Sequence, residues 1–380
     1  MKTLLPVPEI AIGAGRIDGI GADVAGLPGK PRRVLLVIDP ALRGAGVTDR
    51  VLRSLDAAGI AAALFEDLRG EPTAALVDAA AALARQGAGA VIGVGGGSAL
   101  DVAKLAAALA PAPIGAEHVQ FCANPLPPAP LPALCVPTTA GTGSETTCVA
   151  VFLNTAGKKA WAWGPEIRAA KVILDPTLTT SLPPALTAAT GIDALTHAVE
   201  ACTNLNRFAA NDAYCHQAIR LVARHLPTAV RAPGDLAARE GMLLAACFAG
   251  IGINNAGTAI GHTIAHALGS LGRVHHGRAA GLGMRAALPW NVAVNAEAYA
   301  AVAQALGGPA EAAALPGLVD RLVRAVGVKV ALADELPGVT PARLAAEMAL
   351  PENAAMRKSN ARPSSDADLL ALARAVLEAA

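Results

Sequence analysis

AVIGVGGGSALDVAK, residues 90–104, is the stretch on which the fold class turns. Ala90 to Val94 is a short apolar run of strand character, Gly95-Gly96-Gly97-Ser98 follows at once, and Ala99 to Ala110 then reads as a helix. A strand that turns through glycines straight into a helix is the repeating step of a parallel sheet covered by helices. Consecutive glycines let backbone N–H groups approach an anion, and the new helix N-terminus adds its dipole. Taken alone, the loop is equally well a tight turn needing positive φ. Asp101 and Lys104 follow three residues apart, on one side of the helix.

Outward from this stretch the alternation repeats. Val34 to Ile38 is an apolar run ending at Asp39-Pro40, 51–59 reads as a helix, 61–65 as a strand and 74–84 as a helix. Leu134 to Val136 and Val172 to Leu174 add two strand candidates. Past Pro183-Pro184 the strand-like runs nearly vanish, and Ala/Leu-rich segments cover 185–202, 211–231, 236–253, 258–270, 278–305, 310–325 and 365–379. Pro227, Pro233, Gly257 and Gly277 punctuate them. The expected organisation is therefore a parallel-sheet α/β domain over 1–183 and an all-helical domain over 184–380.

Composition narrows the function classes. Lys+Arg 31 against Asp+Glu 30 gives a net charge of +1, so no broad positive field recommends nucleic acid or anionic membrane as a partner. Hydrophobic residues make up 53%, which with 38 Gly and 27 Pro excludes a disordered chain. The long uncharged stretch Gly241 to Gly272 contains Asn254, Asn255, His262 and His266, costly in hydrocarbon, and His118 to Ser144 is broken by prolines; neither reads as a membrane span. No signal peptide is visible, because Pro6, Pro8 and Glu9 interrupt the short Leu4-Leu5 run. Cysteines at 122, 135, 148, 202, 215 and 247 show no CxxC spacing, which points to reduced thiols in the cytoplasm.

The glycine loop is not the ordinary GxGxxG fingerprint, and the one acidic residue about 20 positions on, Glu117, follows a proline-broken segment rather than a strand. Asp39 lies upstream instead, where a carboxylate could hydrogen-bond ribose hydroxyls and repel a 2′-phosphate, although Asp39-Pro40 taken alone is more often just a strand terminator. Pro137-Thr138-Thr139-Ala140-Gly141-Thr142-Gly143-Ser144-Glu145 is a second glycine- and hydroxyl-rich loop after a strand. Two such loops favour a dinucleotide crevice over two hydrogen-bonded turns.

In the helical half, Asp193 and His197 are four apart, as are His262 and His266, and His276 precedes Gly277. Residues four apart on a helix project from one face. A single such histidine is usually a satisfied core residue, but several in an Ala/Gly-rich setting are costly to bury unpaired. A metal shared by Asp193, His197 and two later histidines would satisfy them, and a carboxylate with imidazoles suits Fe(II) or Zn(II). His262 to His266 mimics the HExxH spacing, but Thr263 stands where that motif needs Glu, so peptidase chemistry lacks its base.

GGGSALDVAK (95–104), PTTAGTGSE (137–145), DP…GIDALTHAVE (175–200) and GHTIAH…HHG (261–277) together resemble the iron-containing, group III alcohol dehydrogenases. The resemblance runs over essentially the whole chain, to Asn360-Ala361-Arg362-Pro363. It implies an N-terminal dinucleotide-binding domain and a C-terminal helical, metal-binding domain. It implies metal ligands at Asp193, His197, His262 and His276, with His266 near the nicotinamide and implicated in catalysis; His275 matches no ligand position. Cofactor contacts carry over onto Asp39, Gly96, Gly97, Ser98, Thr138, Thr139 and Thr142, and less securely onto Lys159. An acid at the Asp39 position accompanies NAD preference, with NADP the alternative. Trp161 and Trp163 are unusual for the family, Ile253 lies where some relatives place an aromatic pocket wall, and Val149 falls at a polar substrate-contact position of some small-diol enzymes, so lactaldehyde or propanediol is not singled out.

The expected activity is reversible hydride transfer between a small alcohol or aldehyde and NAD(H), with Fe²⁺ (alternatively Zn²⁺), in a cytoplasmic homodimer or larger homo-oligomer. A glycerol-type polyol dehydrogenase or a maleylacetate-type reductase shares the implied fold. A dehydroquinate-synthase-like lyase would need a cationic cluster for sugar phosphate, and 185–280 carries only scattered arginines.

Overall fold

The computed structural model describes residues 2–68 and 70–378. The chain forms two compact units: Pro6–Thr139 with Ser144–Ser181, and Leu182–Ala380 with Met1–Leu5 and Ala140–Gly143. The expected boundary at 183/184 compares with a switch between Ser181 and Leu182, and two short excursions join the helical unit.

In the first unit, β1 (Glu9–Ile12), β2 (Arg33–Ile38), β3 (Ala61–Phe65), β4 (Ala90–Gly95), β5 (Ala133–Pro137) and β8 (Lys171–Leu174) form one parallel sheet in the order β1-β8-β5-β4-β2-β3. β6 (Val149–Leu153) and β7 (Lys159–Trp163) form a separate antiparallel hairpin. Helices α1 (Ile20–Ala25), α2 (Ala41–Gly44), α3 (Val47–Ala57), α4 (Ala74–Ala84), α5 (Gly97–Leu109) and α6 (Ala116–Val119) complete it. Successive residues of β2 enter opposite cores: Leu35 and Val37 pack with α4 and α5, while Val34, Leu36 and Ile38 pack with α1 and α3. A strand buried on both faces needs an unbroken apolar run, which is why this segment was legible as a strand. β3 lies on one side of β2 and β4 on the other, so the strand order reverses between β2 and β4, the place where parallel sheets open a crevice at their carboxyl ends.

The second unit comprises α7 (Pro184–Thr203), α8 (Ala209–Arg231), α9 (Leu236–Ala256), α10 (Ile260–Leu271), α11 (His276–Asn291), α12 (Ala296–Ala305), α13 (Leu315–Ala325), α14 (Pro341–Met348), α15 (Ala354–Ser359) and α16 (Asp366–Leu377). The expected helix 278–305 is two, separated by Val292–Asn295, and α14 and α15 were not anticipated. α7 is buried from Thr187 to Thr203 and packs on α8, α9 and α11. α9 is long and apolar enough to cross a membrane, but most of it is buried against α7 and α8 as a core helix. Small residues allow α7, α10 and α11 to approach closely. A Cβ on Gly281 would stand 2.2 Å from Ile192 Cγ2, and one on Gly283 would stand 2.3 Å from the carbonyl oxygen of Gly261.

The last helix is fixed by a charge. Ser365 and Asp368 form a capping box at the α16 N-terminus, and Trp290 Nε1 donates to Asp368 Oδ1 at 2.9 Å. The Ser365 hydroxyl and amide, then Trp290, hold the Asp368 carboxyl down to about 2. A depressed carboxyl adds stability above its unfolded value and loses it as pH falls through the folded one. Asp368→Asn is expected to cost about 1 kcal/mol at pH 7. That gap should narrow as pH falls from about 4 toward about 2. Urea denaturation across this range checks it; a pH-independent gap would contradict the assignment.

Candidate metal centre and dinucleotide-binding loops

The carboxyl ends of β2, β4 and β5 lie side by side, and backbone bonds stitch them together. The Asp39 amide donates to the Val94 carbonyl at 3.0 Å and the Thr138 amide to the Gly95 carbonyl at 2.9 Å. Asp39, Gly95–Ser98 and Thr138–Thr139 thus gather at one sheet edge. Gly95 has φ +151°, and a Cβ there would meet Ala99 Cβ at 2.7 Å and Asp39 Cβ at 3.2 Å, so only glycine fits. Gly96 caps α5 with no side-chain bond, leaving the first amides of a 13-residue helix for an anion. Asp39 Oδ1 accepts the Ala41 amide at 2.9 Å. Lys159 lies on β7, where its Nζ pairs with Glu71 at 3.0 Å. Thr142 falls in the short excursion that belongs to the helical unit.

Asp101 and Lys104 hold the chain in place behind this edge. Lys104 is fully buried, and its ammonium donates to the carbonyls of Ser144 (2.7 Å) and Val149 (2.6 Å) and to Thr147 Oγ1 (3.2 Å), with Asp101 Oδ1 at 3.4 Å. Asp101 accepts the Ser144 hydroxyl at 2.5 Å and the Val151 amide at 3.0 Å. The pair clamps residues 144–151, which continue the second glycine loop. Within that segment, burial pushes the Glu145 carboxyl up to about 7 against the pull of its own amide and of Lys104.

The helical unit gathers the histidines. Ligand atoms of Asp193, His262 and His276 lie within 4.8 Å of one another. Asp193 is 2% exposed, and its Oδ1 accepts no hydrogen bond among the described residues. His262 Nε2 lies 3.8 Å from it and His197 Nε2 3.9 Å, too far for hydrogen bonds. Two donors each bound at about 2.1 Å to one ion can lie up to ~4.2 Å apart, so these separations suit atoms facing a common cation. The His197 and His262 rings stack with centroids 4.5 Å apart, and His276 is 5.7 Å from His262. His197 Nδ1 approaches the Gly141 carbonyl at 3.3 Å; as donor there, it leaves the Nε2 lone pair toward Asp193. Burial lowers the His197 pKa, opposed by Asp193, and so favours the neutral ring a metal requires. His266 lies beside His276, centroids 5.7 Å apart, while His275 is exposed. The orphaned oxygen, the neutral imidazole and the convergence of donors fit a divalent metal.

The three helices reach this arrangement through their backbones. A Cβ on Gly277 would lie 2.6 Å from the Ala189 carbonyl oxygen and 3.0 Å from Asp193 Cβ, so α11 begins against α7 and delivers His276 beside Asp193. Sequence reading did not single out Glu200, which accepts the His262 Nδ1–H at 2.6 Å. Burial alone would raise the Glu200 carboxyl, but His262 and the amides of Ala259 and Gly261 outweigh it and hold the pKa below its ordinary value. Asp193, His197 and Glu200 stand at i, i+4 and i+7, a helical stripe that could have flagged it.

Comparison with known proteins agrees with both halves of the chain. A family model described as iron-containing alcohol dehydrogenase matches residues 7–176, and one for the C-terminal part of the Fe-containing alcohol dehydrogenase family matches 187–377. The chain is 37% identical over 310 residues to a probable alcohol dehydrogenase, EutG, of Escherichia coli, covering 80% of this chain and 77% of the relative. It is 37% identical over 319 residues to a 1,3-propanediol dehydrogenase of Klebsiella pneumoniae, covering 79% and 78%. Among solved structures, a sulfoacetaldehyde reductase of Bifidobacterium kashiwanohense in complex with NAD+ matches with TM-score 0.91 at 28% identity, over 99% of each chain.

Replacing Lys104 by Met keeps the volume and strands the Ser144 and Val149 carbonyls and Asp101 without their cation. Lys104→Met is expected to destabilise the sheet unit by ~3 kcal/mol. An unchanged denaturation midpoint would show that the clamp carries no stability.

Proposed function

The chain belongs to the iron-containing alcohol dehydrogenase family, and from that premise we propose that it interconverts a small alcohol and its aldehyde with NAD(H), at a metal held by Asp193, His197, His262 and His276. The observation that carries the proposal is the buried Asp193 oxygen, which accepts no hydrogen bond among the described residues and faces imidazole nitrogens. Fe²⁺ is the proposed ion and Zn²⁺ the alternative, since carboxylate and imidazole donors serve either.

When bound, the metal supplies Lewis-acid polarisation of the substrate oxygen and the dinucleotide gives or takes the hydride. The chain's own groups do the holding. Gly96, Gly97 and Ser98 offer amides to the pyrophosphate at the α5 N-terminus, and the Thr138, Thr139 and Thr142 hydroxyls offer uncharged donors. Asp39 hydrogen-bonds a ribose diol and repels a 2′-phosphate. Lys159, from β7, is assigned to the ribose side of the cofactor. His266 is the group proposed to hold or pass the alcohol proton at its imidazole. Fixed placement of both reactants then supplies much of the rate. The six cysteines are free thiols, five of them buried, which supports a cytoplasmic setting. The exposed Val7 and Ile12 by the edge strand β1 support a homo-oligomer.

The test is purification without chelator under reduced oxygen, parallel loading with Fe(II) or Zn(II), and NADH oxidation over a panel of small aldehydes. Metal-dependent turnover is expected, with His262→Ala lowering it to background. No turnover with either metal, and with NADPH as well, would overturn the proposal. Asp39→Ala is expected to lower kcat/KM for NADH while raising it for NADPH; a parallel loss for both would remove the ribose role.

A further inference from the structure

Four donors surround the carboxylate of Glu200. It is 6% exposed, on the buried face of α7 that carries Asp193 and His197. Oε2 accepts the His262 Nδ1–H at 2.6 Å and the Ala259 amide at 2.7 Å. Oε1 accepts the amides of Gly261 at 2.6 Å and His262 at 3.3 Å. These amides open α10, whose N-cap residue, Ala259, has no capping side chain of its own. The positive end of a helix favours an anion, and Glu200 supplies it from a different helix. A Cβ on Gly261 would come within 2.7 Å of Glu200 Oε1, so glycine is what lets the carboxylate seat there.

We propose that Glu200 is a positioning residue of the metal centre, which sets both the tautomer and the placement of His262. The proposal rests on the metal reading above. With Nδ1–H donated to Glu200, the lone pair falls on Nε2, the nitrogen that lies 3.8 Å from Asp193 Oδ1. A short, charge-assisted bond also makes the imidazole a stronger donor toward a cation. Because His262 sits in the first turn of the helix that Glu200 caps, one carboxylate fixes the ring at one nitrogen and the backbone that carries it. His197, by contrast, has a neutral carbonyl 3.3 Å from its Nδ1. A glutamine at 200 has the size but not the chemistry, since its NH₂ would face N–H donors.

Co(II) is the probe. Chelator competition gives its affinity, the visible d–d spectrum reports its coordination, and circular dichroism of the metal-free protein reports folding. Wild type is expected to bind Co(II), and Asp193→Asn to lose that binding. Glu200→Gln is expected to fold, to bind Co(II) about 10- to 100-fold more weakly, and to show a shifted d–d band. Glu200→Asp keeps the anion but sets it back by one methylene, and should fall between the two. If Glu200→Gln does not fold, Glu200→Asp decides. Folded Glu200 variants with wild-type affinity and an unshifted spectrum would overturn the positioning role and leave the metal reading intact. Wild type without Asp193-dependent Co(II) binding would overturn both.

Discussion

Burying Asp193 is the constraint around which the helical unit is organised. A carboxylate 2% exposed, with an oxygen that accepts no hydrogen bond among the described residues, costs several kcal/mol unless a cation answers it. The donors that would share such a cation come from three helices, so all three must pack closely at one point. Here Gly261, Gly277, Gly281 and Gly283 remove the Cβ atoms that would hold α7, α10 and α11 apart. The Ala- and Gly-rich composition that makes the chain look merely hydrophobic is thus the means by which a polar centre is assembled. Glu200 and Gly141 then orient two of the rings from behind.

The sheet unit solves a different problem, that of presenting backbone amides at a fixed edge. Strand order reverses between β2 and β4, and Gly95 there adopts a backbone conformation and a proximity that no side chain allows. The loop after β5 needs its own anchor, because hydroxyl-rich chain has little apolar surface to bury. Lys104 and Asp101 provide it from inside α5 through bonds to Ser144, Thr147, Val149 and Val151. A buried ammonium with this many acceptors is satisfied, so Lys104 is a structural cation rather than a phosphate ligand.

Much of this was legible in sequence, for reasons that also mark the gaps. β2 and β4 were readable because burial on both faces demands unbroken apolar runs, and the ligand pairs because four-residue spacing is a property of any helix. β1 was not, since none of its four residues at the sheet edge is fully buried and the strand begins at Glu9, just after Pro6 and Pro8. The hairpin of β6 and β7 is hard to read in sequence because its strands are five residues each and bury only alternate positions, among them the small Ala150, Ala160 and Ala162. The 278–305 segment read as one helix, but a turn over Val292 to Asn295 separates α11 from α12. Glu200 and Lys104 were hidden more deeply. The i, i+4, i+7 stripe puts Glu200 on the ligand face, but its partner lies 62 positions away and those of Lys104 about 40–45, and spacing within one helix does not name them.

The most direct test of the metal centre is crystallographic. Crystals grown with Fe(II) under reduced oxygen, measured on either side of the iron absorption edge, should show one anomalous peak in the helical unit. It should lie within bonding distance of Asp193 and of the Nε2 atoms of His197 and His262, with His276 completing the set. No peak there, or a peak bound elsewhere on the chain, would contradict the account.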